Sequence, residues 1–240
     1  MWKIINDDCL EAVDELDPPF DIVVADPPYC SGGLLPSQIK GGLRKYLNST
    51  KTEAKKWQKS FDDSLGQLAL FRFTRLWLRS ALRIASENAY AFIFTDWRQI
   101  PLFSEAFQGS GWTWRGIVPW NKTNARPNHG MFTHLHEYVL YATAGAFSHK
   151  HVHKTLECPP PQSFNRIHPT EKPVGVFKFL YQIIDPPENR AARVLDMFAG
   201  SAAAGEAALD LGFDYVGIEL NEYFAQQATE RLTNFERRLI

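Results

Sequence analysis

Three cysteines in 240 residues, at Cys9, Cys30 and Cys158, are too few and too irregularly spaced for a disulfide framework or a CxxC metal site. They read as reduced thiols, as in a cytoplasmic protein. No apolar run approaches the roughly 18 residues of a membrane helix, and the opening "MWKIINDDCL" has no apolar signal core. The expectation is a soluble, unexported chain. Neither sign of charge dominates: 26 Lys and Arg face 27 Asp and Glu, a net of −1. Nucleic acid would have to be held by local basic clusters. Internal repeats and low-complexity tracts are lacking as well.

What is present is the composition of an ordinary globular protein, 45% hydrophobic and 22% charged. The length suits one large domain, or one domain with an insertion. Short β-branched runs alternate with longer helical ones, which predicts a doubly wound, mostly parallel α/β sheet of Rossmann-like type. Strands are expected at 21–25, 89–95, 114–119, 137–142, 192–197 and 214–219. Helices are expected at 9–16, 66–85, 99–108, 173–184, 202–211 and 221–238, with Leu68, Phe71, Leu78 and Leu82 at helical spacing in the second.

Two segments interrupt the alternation. Residues 36–63 form a polar, basic loop; between 40 and 59 seven cations, among them Lys40, Arg44 and Lys45, face the single acid Glu53. Residues 120–168 hold all seven histidines. Long loops in a compact domain are commonly functional or disordered. The run "HKHVHK" (149–154) near Cys158 invites a zinc reading, but its histidines alternate and no second cysteine is close. A surface loop that gains charge below neutral pH fits better, and no metal is expected.

Two strand ends carry chemistry. "VLDMFAGSAAAG" (194–205) runs from a strand into an acid and a small-residue turn, and Glu219 ends the next strand. Small residues allow close backbone approach to a nucleotide-like ligand, and such an acid can bind ribose hydroxyls. A plain tight turn with a solvated glutamate is the alternative. "DIVVADPPYCSGG" (21–33) ends its strand on Asp26, Pro27, Pro28 and Tyr29. The prolines fix the backbone so that the Pro27 carbonyl leaves the ladder.

"DPPY", "HPTEKP" (168–173) and "LDMFAGSAAAG", in that order, resemble the S-adenosylmethionine-dependent DNA amino-methyltransferases, specifically the permuted, beta-type subgroup of adenine-N6 DPPY enzymes. The resemblance implies a methyltransferase domain over 1–120, 137–145 and 167–240, with target recognition inserted at 121–166. It implies that Asp26 and Pro27 grip the target amino group, with Pro28 and Tyr29 completing the catalytic turn. For the cofactor, S-adenosylmethionine, it implies Asp196 at the methionine amine and Phe198 and Gly200 alongside. Ser201 and Asn221 flank them, Glu219 takes the ribose, and Thr170 and Lys172 take the carboxylate. "INDDCLEAV" resembles the family's GDCL segment. That puts Asp8 and Cys9 at the adenine ring, although Asp8 could equally be a helix N-cap. Ala202 departs from the pattern, replacing a glycine. "FIFTDW" (92–97) resembles the next strand-end motif, which puts Asp96 and Trp97 near the target pocket, although a tryptophan there is more often simply core. "HEYVLYATAG" (136–145) resembles a remaining sheet motif and is mostly structural.

The DNA partner would present its target base flipped out, since the amino group is inaccessible inside a stacked duplex. Lys40, Arg44 and Lys45 are candidates for the strand beside the catalytic turn. Lys122 and Arg126, with Asn124, Asn128 and His129, suit phosphate or base-edge contacts. The resemblance also implies a homodimer. A cytosine-N4 methyltransferase is the nearest alternative, although those enzymes usually carry Ser at the position of Asp26. RNA or protein methylation and an inactive DNA-binding module that keeps the fold are further ones.

Overall fold

The computed structural model describes residues 1–30, 65–123, 132–146, 150–161, 168 and 170–239. The basic stretch with Lys40, Arg44 and Lys45 lies outside them, as do Arg126, Asn124, Asn128, His129 and His149.

Eight strands form one sheet: β1 (Trp2–Ile5), β2 (Phe20–Ala25), β3 (Ala85–Thr95), β4 (Thr113–Asn121), β5 (His136–Thr143), β6 (Leu156–Glu157), β7 (Arg193–Asp196) and β8 (Asp214–Ile218). Their order is β1-β8-β7-β2-β3-β5-β4-β6. Strands β1, β8, β7, β2 and β3 run parallel, and β5 is antiparallel to both β3 and β4. The helices described are α1 (Cys9–Ala12), α2 (Gln67–Arg83), α3 (Ile100–Ser110), α4 (Val174–Tyr181), α5 (Ala203–Asp210) and α6 (Glu222–Leu239).

All six residues of β2 are buried, because helices cover both faces of the sheet. Ile22 and Val24 point to one face, where they meet Phe177 and Leu180 of α4, Ala204 and Ala208 of α5, and Leu232 of α6. Val23 and Ala25 point to the other, against Cys9 of α1, Leu70 and Trp77 of α2 and Phe103 and Phe107 of α3. Such two-sided burial is why β2 reads as a continuous apolar run. In α2 the buried stripe is Leu70, Thr74, Trp77, Leu78 and Ala81. Leu68, expected on the apolar face, is 61% exposed. The true stripe contains a threonine and a tryptophan, which a count of leucines and phenylalanines misses.

Several bounds also move. The expected helix 9–16 is α1 followed by a 3-10 turn at Val13–Glu15. Helix α3 runs on to Ser110 and stops at Gly111, whose φ of 99° only glycine adopts readily. Strand β1 was not expected. Its four residues show no alternation of burial and are held by pairing to β8, a contact 213 positions away in sequence at Trp2↔Tyr215.

The site follows from topology. From β2 the chain reaches β3 through α2, on one face and to one side. From β7 it reaches β8 through α5, on the opposite face and to the other side. Strands β2 and β7 are therefore the switch point, where a crevice opens beyond the carboxyl ends. They pair in parallel, with Val24 opposite Asp196.

Candidate active site

Beyond β2 the chain enters Asp26-Pro27-Pro28-Tyr29. The Tyr29 hydroxyl donates to Asp26 Oδ1 at 2.9 Å, and Lys172, from the loop before α4, donates to Asp26 Oδ2 at 2.7 Å. Lys172 also donates to the Thr170 carbonyl at 3.3 Å and lies 3.8 Å from Glu137 Oε2, so its ammonium faces the DPPY turn, whereas the resemblance gives it to the cofactor carboxylate. Its ammonium sits over the rings of Tyr29 and Phe94, 5.5 and 5.6 Å from their centroids. Burial raises the Asp26 carboxyl, and the Lys172 charge opposes that without cancelling it. Burial likewise holds the Tyr29 phenol well above its usual range, reinforced by the charges of Asp26 and Glu137. The turn ends on Cys30 at φ 46°, and its carbonyl accepts from Gln67 Nε2 at 3.0 Å and Gln99 Nε2 at 3.1 Å. Those glutamines clamp the Asp26–Cys30 turn to the starts of α2 and α3, a role that no sequence signal announces.

Beyond β7 lies the second turn. Asp196 accepts from the Phe198 amide at 3.1 Å and from the Tyr215 hydroxyl at 3.0 Å. Burial lifts its carboxyl to about 7, against the pull of those two hydrogen bonds. The Tyr215 side chain fits because Gly205 and Gly217 have none; a Cβ on Gly205 would come within 2.6 Å of its ring, and one on Gly217 within 2.6 Å of its hydroxyl. Gly200 adopts φ 52°, and its amide donates to Glu219 Oε2 at 2.8 Å. The other Glu219 oxygen accepts from the Asn221 amide at 2.8 Å. The ends of β7 and β8 are thus tied by one carboxylate.

The HPTEKP segment closes over this turn. The His168 ring would lie 3.7 Å from a Cβ on Gly200 and packs edge-on against Phe224, centroids 4.3 Å apart. Burial and the nearby Lys172 charge lower its imidazole to about 4, so it stays neutral and can accept from the Thr170 amide at 3.4 Å. Arg231 of α6 fastens the assembly by pairing with Glu171 at 2.7 Å and Glu206 at 2.6 Å while reaching Ser201 Oγ at 3.3 Å. It lies far outside every motif and was not expected.

A family model for DNA methylases, of the N6 and N4 kind, matches residues 20–160 and 146–230. The chain belongs to the N6/N4 DNA methylase family. The candidate methylase YubD of Escherichia coli (strain K12) is 27% identical over 99% of this chain and 92% of its own length. The type II methyltransferase M.HinfI of Haemophilus influenzae is 25% identical over 95% of this chain and 67% of its own. Among solved structures, the M1.HpyAVI–SAM complex superposes with a TM-score of 0.66 at 20% identity, covering 96% of this chain and all of that one. The cytosine-N4-specific PvuII DNA methyltransferase gives 0.70 at 11% identity, over 99% and 92%. These superpositions establish a mixed α/β, Rossmann-like methyltransferase fold.

Other expected site residues of this methylase have structural partners. Asp8 is the N-cap of α1, its Oδ1 accepting from the Leu10 amide at 2.8 Å. Cys9 is buried, which pushes its thiol up to about 12 with help from the Asp8 charge. Phe198 packs edge-on against Trp77, centroids 5.5 Å apart. Asn221 caps α6, accepting from the Tyr223 amide at 3.0 Å. Lys122 is paired with Glu137 at 3.3 Å. Ala202 sits at φ 55° with its methyl fully buried in the core. Trp97 is 56% exposed and stacks on His134, centroids 6.4 Å apart, at the same edge of the sheet as Asp26. Among the described residues no group of three or more His, Cys, Asp or Glu is arranged to hold a metal, and no helix is long and apolar enough to cross a membrane.

Proposed function

We propose that this DNA methylase transfers the methyl group of S-adenosylmethionine to the N6 amino group of adenine in DNA. The observation that carries the reading is the parallel pairing of β2 with β7, which opens the Asp26 turn and the Gly200 turn at one switch point. The donor set fits the cofactor. Each Glu219 oxygen accepts one backbone amide and keeps a lone pair for a ribose hydroxyl. Gly200, at φ 52° and without a side chain, allows the backbone of this turn to come close to a ligand. Asp8 spends one oxygen on its helix and keeps Oδ2 for an exocyclic amine. The bound cofactor supplies a methyl already activated on sulfonium.

The chain's own residues then have to align and polarise the acceptor. An adenine amino group is a poor nucleophile because its lone pair is delocalised into the ring. Asp26 and the Pro27 carbonyl, each accepting one N–H, draw the nitrogen toward tetrahedral geometry and free that pair. Alignment of this kind can remove roughly 7–11 kcal/mol of barrier. Positive charge grows on the nitrogen as the bond forms, and the Asp26 carboxylate stabilises it. The burial that raises Asp26 also makes it a better acceptor for the proton released. Adenine is favoured over cytosine by the aspartate at position 26, since the cytosine-N4 enzymes this chain resembles usually carry serine there. The flipped base would stack on Tyr29, and the protein would work as a homodimer.

The experiment is nucleoside mass spectrometry of DNA incubated with the protein and isotopically labelled S-adenosylmethionine. Label in N6-methyladenine supports the reading. Label in N4-methylcytosine moves it to the alternative substrate, and label in neither ends it.

A further inference from the structure

The target amino group must reach a carboxylate that already accepts one hydrogen bond on each oxygen, from Tyr29 at Oδ1 and from the charged Lys172 at Oδ2. Lys172 is the difficulty. Its ammonium neutralises the carboxylate that should polarise the amino group, and it would face the nitrogen on which positive charge develops. Escape to solvent is barred, since Lys172 is 7% exposed and sits over the Tyr29 and Phe94 rings.

A second carboxylate stands beside it. Glu137 follows the first residue of β5, opposite Trp120 of β4, so strand pairing fixes its backbone. Its Oε1 is held by Lys122 at 3.3 Å. Its Oε2 is buried, accepts no hydrogen bond among the described residues, and lies 3.8 Å from Lys172 Nζ. Buried acceptors in native proteins are nearly always satisfied, so one left open beside a catalytic pair calls for an explanation. An ammonium shift of about 1 Å toward Glu137 would bring the contact into hydrogen-bonding range while lengthening the one to Asp26.

We propose that Glu137 is a positioning residue that receives the Lys172 ammonium when the target amino group takes Asp26. This rests on the amino-methylation reading above. Lys122, Glu137, Lys172 and Asp26 form a row of alternating charge, in which Lys172 lies closer to Asp26, at 2.7 Å, than to Glu137, at 3.8 Å. A DNA phosphate that draws Lys122 away leaves Glu137 free to pull harder on Lys172. Asp26 then faces the amino group as an uncompensated carboxylate.

The test compares wild type, Glu137→Gln and Glu137→Asp for single-turnover methyl transfer at saturating cofactor and DNA, with both dissociation constants measured beside the rates. Glu137→Gln should transfer at least about ten-fold more slowly with both constants within about two-fold of wild type, since only a step after binding is affected. Glu137→Asp, which keeps the charge on a shorter stem, should lose less. A Glu137→Gln rate equal to wild type overturns the proposal, as does equal loss in both variants or loss matched by weakened binding. If Glu137→Gln does not fold, Glu137→Asp decides: slower transfer at unchanged affinity supports the proposal, and a wild-type rate overturns it. A wild-type protein that modifies no DNA base would instead remove the amino-methylation reading, and this inference with it.

Discussion

Lys172 donates to Asp26 at 2.7 Å across 146 positions of sequence, joining the HPTEKP segment directly to the DPPY turn. Two motifs that the resemblance assigns to different tasks, one to the cofactor and one to the target base, share an ion pair. Removing one partner of a buried pair typically costs about 3–5 kcal/mol, because the other charge is stranded. Lys172→Met should therefore lower thermal stability strongly at neutral pH. The loss should shrink as Asp26 becomes protonated in acid, which melting curves across pH would show.

Arg231→Met should act on the cofactor side alone. It strands Glu171 and Glu206 and unties Ser201 from α6. We expect a clear fall in melting temperature and roughly ten-fold weaker S-adenosylmethionine binding by calorimetry, with DNA affinity unchanged. Unaltered cofactor affinity would show that Arg231 only braces the fold.

Asp196 makes a prediction about pH. Burial raises its folded carboxyl to about 7, well above the roughly 3.9 of an ordinary aspartate. Between those values the folded protein holds a proton that the unfolded chain does not, so this group's contribution to stability falls as pH rises through the window. The fall is at most about 4 kcal/mol. His168 acts in the opposite sense between about 4 and 6.5, where the unfolded chain binds the extra proton. The two partly cancel in wild type. Denaturant titrations of wild type and Asp196→Asn should therefore show a stability difference that drifts against wild type from acid to neutral pH. A constant difference would contradict the assignment.

Trp97→Ala should leave the fold nearly untouched, within about 0.5 kcal/mol, because more than half of the side chain is exposed. If the Trp97 and His134 pair serves as a platform for a nucleobase, DNA affinity should fall by about 1–3 kcal/mol, read by fluorescence anisotropy at fixed salt.

Ala202→Gly tests the departure in the glycine turn. Relief of a left-handed alanine favours the change by about 1–2 kcal/mol. The lost methyl opposes it by about 0.8 and the flexibility of glycine by about 0.5–1. Stability should move by less than about 1 kcal/mol, and cofactor affinity should hold, because the methyl is buried in the core and not in the cleft. Much tighter cofactor binding would show that the alanine does obstruct the site.

The strands that position the chemistry were legible because β2 and β7 are buried on both faces and read as apolar runs ending in an acid. Their adjacency is not written in any local pattern, since nothing in either segment states which strands pair. Strand β1 stayed hidden because its pairing with β8 is wholly non-local. The placement of Asp26, Gly200 and Glu219 at one edge could be anticipated from where their strands end. The roles of Gln99, Glu137 and Arg231 could not, because each works through partners brought near by the fold. Trp97 could have been core on composition, and only its position past the end of β3 exposes it.

The most direct measurement pairs cofactor binding with methyl transfer in Asp26→Ala. Calorimetry should give S-adenosylmethionine affinity within about two-fold of wild type, while labelled methyl incorporation into DNA drops to background. Retained transfer would contradict the account, because the amino group would then be activated without the carboxylate that closes β2.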